Sequence, residues 1–553
     1  WTRKLKELVL ATKLETSTSK DEILGKYLNA VYFGRGAYGI EAAAQAYFRV
    51  PAKDLTPVQG AMLASLLKSP EGMSPDRNLE RLKARWGYVM DGMVEQGWMS
   101  KKARAKAAFP KVAKRSSAST LGGTNGYLLD AVRQDLLANG IDEAALGVGG
   151  LRIVSTFDKN AQAAAVAAVK DEAPTEDAEG LRVGLVAVKP GTGQVVALYG
   201  GADYLRSPLN NATQAIGQAG STFKPFALAA ALEKGTGLDS MWNGDNGRDI
   251  GGYKVVNYGD KSWGEISLLE ATENSVNSVY VDVENTVGVD AVADAAVRAG
   301  IPEGTTGFTK NLTFVLGTSS PHVIDLASSY ATFAARGQRV APTTLLKVTG
   351  PNGGVLVETS PAPEQVFDSA VADQVNYALE KVVTDGTGST AQGLDRPAAG
   401  KTGTTNDNMS AWFVGYTPDL AAAVMLVKDG SDGQPVSLSG TGGLDTVTGG
   451  SFPASIWTAF MRGALEGVAV SDFVPPADLV TTSPSPSASS PTAPPKPTPT
   501  PTDTGSPTPT PTDTGTPTPT PTDTGTPTPT PTPTDTGPEP SPTAASPRAS
   551  AAP

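Results

Sequence analysis

The chain has 553 residues, with 56 Asp and Glu against 45 Lys and Arg (net charge −11), no cysteine and one histidine. That length allows two or three domains, each with its own core, while the composition excludes disulfides, thiol nucleophiles and Cys-type metal sites and leaves little for a zinc centre. No segment approaches the ~18–20 apolar residues of a membrane span, and the absence of zinc-finger spacing and of an aromatic-basic strand motif argues against nucleic acid.

Residues 1–115 carry 21 Lys and Arg against 11 Asp and Glu, so the rest of the chain is strongly acidic. A basic unit suits an anionic substrate or a membrane surface, and equally a solvated helical face. Its periodicity is helical: Ile23, Leu24, Tyr27 and Leu28 line one face, and Ile40, Ala43, Ala44 and Tyr47 another. Arg3, Lys4 and Glu7 stand three and four residues apart and, read alone, make surface ion pairs.

Ser221-Thr222-Phe223-Lys224 follows Gly217-Gln218-Ala219-Gly220 and precedes Pro225 and the apolar run Phe226 to Leu232. Ser17 with Lys20 and Ser65 with Lys68 share the S-x-x-K spacing, but in ordinary helical sequence. Proline is tolerated only in the first turn of a helix, so this helix begins at about Gly220 or Ser221. Ser221 then offers an unpaired backbone N–H at a helix start, half of an oxyanion hole, with Lys224 on the same face and within reach of its hydroxyl. A serine needs a neighbour to take its proton. Lysine does this when neutral, which requires its pKa to fall from ~10.4 by roughly three units, about 4 kcal/mol. Burial and a second cation supply such a shift, and Lys401 is the natural second cation.

Downstream of a helical stretch from Ser267 to Glu273, Ser275-Val276-Asn277 is the one S-x-N of the chain. Alternate residues on a short loop can point two polar groups into one cleft: Ser275 to relay a proton, Asn277 to hold a substrate amide. Taken alone, the segment reads first as a polar loop. The lone His322 sits in the turn-like Thr318-Ser319-Ser320-Pro321-His322, and only through it could a Ser-His-Asp triad arise. Lys401-Thr402-Gly403-Thr404-Thr405 precedes the alternating Ala411 to Tyr416, so Gly403 lies at a strand edge where a ligand can approach the backbone. An extended peptide can add along that edge, with Lys401, Thr402 and Thr404 taking a carboxylate and the Thr404 N–H completing the oxyanion hole. The alternative is a solvated hairpin lysine.

From about Val480 the chain turns to Pro-Thr repeats with Asp-Thr-Gly at 503, 513, 523 and 535. Such sequence buries no core and is expected to be a disordered, polyproline-biased spacer, on the order of 200 Å if extended at ~3.1 Å per residue.

S-x-x-K, S-x-N and K-T-G in this order mark the penicillin-binding serine enzymes. The chain resembles a class A (bifunctional) penicillin-binding protein over residues 1 to about 470. Further landmarks are Gly150 to Asp158, the hairpin Val183 to Tyr199 around Pro190-Gly191-Thr192-Gly193, and Ile324 to Gly337. Arg3 to Glu7, Lys20 to Asn29, Phe33-Gly34, Gly39-Ile40-Glu41 and Ala42 to Phe48 resemble the C-terminal half of that family's glycosyltransferase domain. The resemblance implies a multidomain protein. A partial, mainly α glycosyltransferase domain (1–115) and a linker (116–180) precede an α+β transpeptidase domain (181–470) with an antiparallel sheet flanked by helices, and a tail (478–553) follows.

The resemblance further implies catalytic roles for Ser221, Lys224, Ser275, Asn277 and Lys401, substrate binding by Thr402, Gly403 and Thr404, Glu7 as a glycosyltransferase acid, and Arg3 and Lys4 facing pyrophosphate. It implies no cofactor or metal for the transpeptidase, a divalent metal as an option for the glycosyltransferase part, and stem peptides, lipid II and β-lactams as ligands. Because the chain opens at Trp1 inside the family pattern, an N-terminal membrane anchor, an extracytoplasmic site and the first catalytic glutamate are expected upstream of it, and these residues alone are not expected to polymerise glycan. Hydrolytic alternatives, a D,D-carboxypeptidase or a β-lactamase, share the same acyl-enzyme. The Val276 in S-x-N and the lack of E-x-x-L-N after Ser275 tilt away from a class A β-lactamase, and the first 115 residues tilt away from a non-catalytic β-lactam sensor.

Overall fold

A computed structural model describes residues 19–477 apart from 36, 71, 115–120, 149 and 351. Arg3, Lys4, Glu7 and the Pro-Thr tail lie outside the described residues.

The N-terminal part is helical, as its periodicity predicts: α1 (Lys20–Ala30), α2 (Ile40–Phe48), α3 (Pro57–Leu66) and α4 (Leu79–Glu95). Thr56 and Gln59 form a reciprocal capping box ahead of Pro57, fixing the start of α3. Phe33, Ala43, Tyr47, Met62, Leu66, Leu82, Trp86 and Met90 make a core of their own. Arg35 staples it: the guanidinium forks onto Asp76 at 2.7 and 2.9 Å, donates to Ala46 O and Ala113 O, and lies 4.5 Å from the centre of the Tyr47 ring. With four of its five N–H donors used within this part, this arginine is structural.

The larger part is built on an antiparallel sheet of β1 (Leu181–Lys189), β2 (Gln194–Tyr199), β3 (Ala399–Thr404), β4 (Ser410–Tyr416) and β5 (Ala421–Asp429). Its order is β3-β4-β5-β1-β2, with Pro435–Val436 added beside β5. The β1–β2 hairpin turns at Pro190 to Gly193, where the sequence places it. Flanking helices are α5 (Lys159–Glu172), α6 (Lys224–Glu233), α7 (Leu268–Glu273), α8 (Asn277–Val287), α9 (Val323–Ala334), α10 (Ser369–Thr384) and α11 (Phe452–Ala464).

The period-2 alternation of the strands separates two cores. Trp412, Val414, Tyr416, Ala423 and Met425 face α6, α8 and α9; Ala411, Phe413, Ala422, Val424 and Leu426 face α5 and α11. Because helices cover both faces, β4 is buried at every position, unlike the half-exposed strand that alternation usually signals. Each of the larger side chains among them, such as Val414, Phe413, Met425 and Leu426, contributes about 1.5–3 kcal/mol by leaving water, which makes the sheet a rigid support for its edge strand, β3. Helix α6 is buried from Lys224 to Leu232, as expected of a helix apolar on all sides at the centre of a domain. Among the described residues, no helix is long and apolar enough to cross a membrane.

Candidate active site

Residues 220–223 form a 3-10 turn that runs into α6, with Pro225 in the helix's first turn. Gly220 has φ +57°, and a Cβ there would lie 2.9 Å from Thr404 O and 3.0 Å from Thr404 N. Only glycine takes this backbone freely while letting β3 come so close. The turn is held on every side: Gln218 O accepts from Ser410 Oγ and Trp412 Nε1, Ala219 N donates to Ser319 O, Gly220 N to Gly317 O, and Tyr330 Oη to Thr222 O. Among the described residues, neither Ser221 Oγ nor its backbone N–H has a hydrogen-bond partner, and Ser221 is half-buried at the wall of a cleft of about 570 Å³.

Lys224 is fully buried beneath that cleft. Its Nζ lies 2.6 Å from Ser275 O, 2.7 Å from Asn277 Oδ1 and 3.1 Å from Ser275 Oγ. The sequence predicts a contact with Ser221; instead the structure gives Nζ three partners from the Ser275–Asn277 segment. An ammonium would donate to all three, whereas a neutral amine donates to the two carbonyl oxygens and accepts from the Ser275 hydroxyl. Burial holds the Lys224 pKa well below the usual lysine range, and nearby Lys401 lowers it further. The second cation is itself fully buried, and its pKa is pushed down to about 7 by burial.

Ser275 has φ +57°, uncommon for a residue with a side chain; it lies between α7 and α8, with its carbonyl and hydroxyl both on Lys224. Asn277 opens α8, and both ends of its amide are engaged: Oδ1 accepts from Lys224 and Nδ2 donates to Val256 O at 2.8 Å. The expected substrate-holding amide is therefore a strut in this structure, and a substrate carbonyl would have to replace Val256.

Thr402 and Thr404 line the cleft with Ser221, Ser275 and Asn277, whereas Lys401 is fully buried and is not part of its lining. Among the described residues its side chain makes one hydrogen bond, a 3.3 Å contact with Thr402 O. Gly403 differs from expectation as well: a Cβ there would meet Ala219 O at 2.5 Å and Thr222 Cγ2 at 2.8 Å. The space glycine leaves is filled by the nucleophile turn, not kept open for a ligand. Gly403→Ala is expected to cost about 1–3 kcal/mol by overpacking. Because it displaces Ser221, it should also slow acylation by about tenfold or more; thermal melting and the rate of penicillin labelling measure the two effects.

The remaining serine and histidine candidates resolve plainly. Ser65 Oγ donates to Ala61 O inside α3, and His322 caps α9 with Nδ1 on Asp325, outside the cleft wall. Sequence reasoning missed Thr387, whose hydroxyl lies 2.8 Å from that of Thr402, as well as Asn406, Thr448 and the wall from Tyr253 to Asp260. Asn257 anchors that wall: Oδ1 accepts from Ser278 N, and Nδ2 donates to Gly244 O and Lys261 O. The run Thr405-Asn406, one residue beyond K-T-G, is a local hint to Asn406; nothing local marks Thr387 or Asn257.

A family model described as the penicillin binding protein transpeptidase domain matches residues 183–441, which contain all three motifs, and a transglycosylase model matches residues 1–94. Penicillin-binding protein 2D of Bacillus subtilis is 32% identical over 86% of this chain and 69% of its own length. The chain belongs to the class A penicillin-binding proteins. Penicillin-binding protein 1A of Mycobacterium tuberculosis is 38% identical over 86% of this chain, and the chain spans about 60% of the length of that relative. The solved structure of the PonA1 protein from Mycobacterium tuberculosis in complex with penicillin V superposes with a TM-score of 0.57 at 33% identity, covering 65% of this chain and 97% of that one. In class A penicillin-binding proteins a transglycosylase-type part precedes a transpeptidase part, and the helical residues 19–114 and the sheet domain follow that order.

Proposed function

We propose that this chain is the transpeptidase-bearing part of a peptidoglycan synthase. Ser221 Oγ attacks the carbonyl of the penultimate D-alanine of a donor stem peptide. Rotation about χ1 brings the hydroxyl to Lys224 Nζ, which takes its proton once the Ser275 hydroxyl turns aside. The carbonyl oxygen becomes an oxyanion facing the Ser221 and Thr404 N–H groups. The C–N bond then breaks, and the departing D-alanine nitrogen takes the proton back through Ser275. An amine of a neighbouring stem peptide attacks the acyl carbonyl and gives up a proton to Lys224; the C–O bond to Ser221 breaks, and Oγ takes that proton. Thr402, Thr404 and Thr387 offer hydroxyls to the donor's terminal carboxylate, with the field of Lys401 beneath them. A β-lactam acylates Ser221 by the same steps, but its leaving nitrogen stays tethered.

The observation that carries this reading is a buried Lys224, its pKa held well below the usual lysine range, bonded to Ser275 and Asn277 below a cleft that Ser221 lines. In the whole protein, lipid II would be the glycan donor, with Glu7 as a catalytic acid and Arg3 and Lys4 on pyrophosphate, the site standing outside the membrane behind an N-terminal anchor. A divalent metal would belong to that part; among the described residues no group of three His, Cys, Asp or Glu side chains could hold one, and no step here runs through it.

The test is a fluorescent penicillin label followed by denaturing electrophoresis and a timed chase, then a donor peptide ending in D-Ala-D-Ala offered with an amine acceptor. Label that persists through the chase, together with a cross-linked product, is expected. Release within seconds, or hydrolysis of the donor without cross-linking, would replace the reading with that of a lactamase or carboxypeptidase.

A further inference from the structure

Helix α8 carries a carboxylic acid that the mechanism above does not use. Glu284 is completely buried, seven residues after Asn277, and so on the same face of the helix. That face backs the catalytic centre: Asn277 holds Lys224 Nζ, the Tyr280 ring centre lies 5.5 Å from the same atom, and Glu284 follows one turn later. Glu284 Oε2 accepts from Val315 N at 3.3 Å, and among the described residues Oε1 has no partner. Burial pushes this carboxyl up to about 8, against the pull of the Val315 bond, so at neutral pH it is the uncharged acid.

Val315 belongs to the turn Phe314–Leu316 that supports the nucleophile. Phe314, Leu316 and Gly317 donate to Asn311, Thr313 and Phe314 carbonyls; among the described residues Val315 N donates to Glu284 alone. The turn then meets Ser221's own segment backbone to backbone: Gly220 N donates to Gly317 O at 3.1 Å, and a Cβ on Gly317 would lie 2.0 Å from Gly220 O. The Phe314 and Phe223 rings pack edge to face at 5.3 Å, and Leu316 lines the cleft. An apolar residue at 284 would fill the same space and leave a buried N–H unpaired, a defect the turn could relieve only by shifting.

We infer that Glu284 is a positioning residue: its buried carboxyl ties α8, which orients Lys224 through Asn277, to the 314–317 turn, which sets the height of Ser221 and its N–H. The inference rests on Ser221 being the acylated serine. Its prediction concerns the acylation step and not affinity, because Glu284 touches no part of the cleft.

The experiment measures the acylation rate constant k2 and the dissociation constant of the preceding non-covalent complex with a fluorescent penicillin, per folded molecule, in wild type, Glu284→Leu, Glu284→Gln and Ser221→Ala. Amide exchange over the segment 312–317 is followed in the first three. Glu284→Leu should lower k2 about tenfold or more with the dissociation constant within about threefold, and exchange at Val315 should speed up. Glu284→Gln keeps a carbonyl acceptor and should restore k2 to within about threefold of wild type. Wild-type k2 in folded Glu284→Leu, a loss confined to the dissociation constant, or a Gln variant as slow as the Leu variant would each overturn the inference. If Glu284→Leu does not fold, the Gln variant and Val315 exchange decide: slow acylation by Gln, or an unprotected Val315 amide in wild type, overturns it. Label surviving in Ser221→Ala would instead remove the functional reading beneath it.

Discussion

Lys224→Met should lose about three to four orders of magnitude in penicillin acylation rate while remaining folded, and Ser221→Ala should take no label at any time. The two losses differ in kind. Without Ser221 there is no atom to acylate; without Lys224 the hydroxyl and the oxyanion donors remain, so a slow residual reaction persists. Stability separates the variants further. Methionine removes the desolvation penalty on a buried amine, but it strands Ser275 O and Asn277 Oδ1, each now lacking its Lys224 bond at a cost of about 1–3 kcal/mol. These contributions oppose one another at similar size, so the melting temperature of Lys224→Met should stay close to wild type while its chemistry collapses. Rates come from gel-resolved labelling over minutes to days, and folding from thermal melting. A Lys224→Met variant labelled at the wild-type rate would mean that another group takes the serine proton.

What could be read from the sequence follows from how local each cause is. Pro225 and the glycine before Ser221 act within one turn of chain, and the helix start fell where they put it, with a 3-10 turn ahead of the α-helix. Lys401 and Lys224 were paired through order along the chain and through the need for a second cation, and the structure buries both. Less legible was anything set by a partner distant in sequence. Gly403 looks like a place for ligand backbone until Ala219 O is seen against it, 184 residues earlier in the chain. Asn277 looks like a substrate amide until Lys224 is seen on its Oδ1 and Val256 O on one of its N–H donors. Thr387 and Asn257 sit in loops without periodicity, and their function comes from what the fold brings opposite them. Glu284 reads as one more polar position of an amphipathic helix, because neither its burial nor its bond to the Val315 N–H can be inferred from neighbours in sequence.

Lys401→Met should raise stability at neutral pH and, in the same protein, move catalysis to higher pH. The folded chain holds this lysine at about 7, against an ordinary value of 10.5, because burial disfavours its charge. Between those two pH values the unfolded chain binds a proton that the folded chain does not, so wild-type stability climbs as pH rises through this window and is lost as pH falls toward 7. The whole window is worth at most on the order of 5 kcal/mol at 1.36 kcal/mol per unit. Lys401 has a single 3.3 Å hydrogen bond to set against that penalty, whereas Lys224 has three. An apolar replacement at 401 therefore strands little and removes a costly charge, and a gain of about 1–4 kcal/mol at pH 7 is expected, fading toward pH 10. Catalysis runs the other way. The charge of Lys401 lowers the Lys224 pKa, so its removal lets Lys224 keep its proton to higher pH. The ascending limb of the acylation rate against pH should shift to the alkaline side, slow at neutrality and recovering as pH rises. Urea unfolding at pH 7 and 9.5, with labelling rates across the same range, tests both halves. A variant less stable at pH 7, or one whose acylation limb stays in place, would show that Lys401 acts by touching the ligand and not by shaping the charge on Lys224.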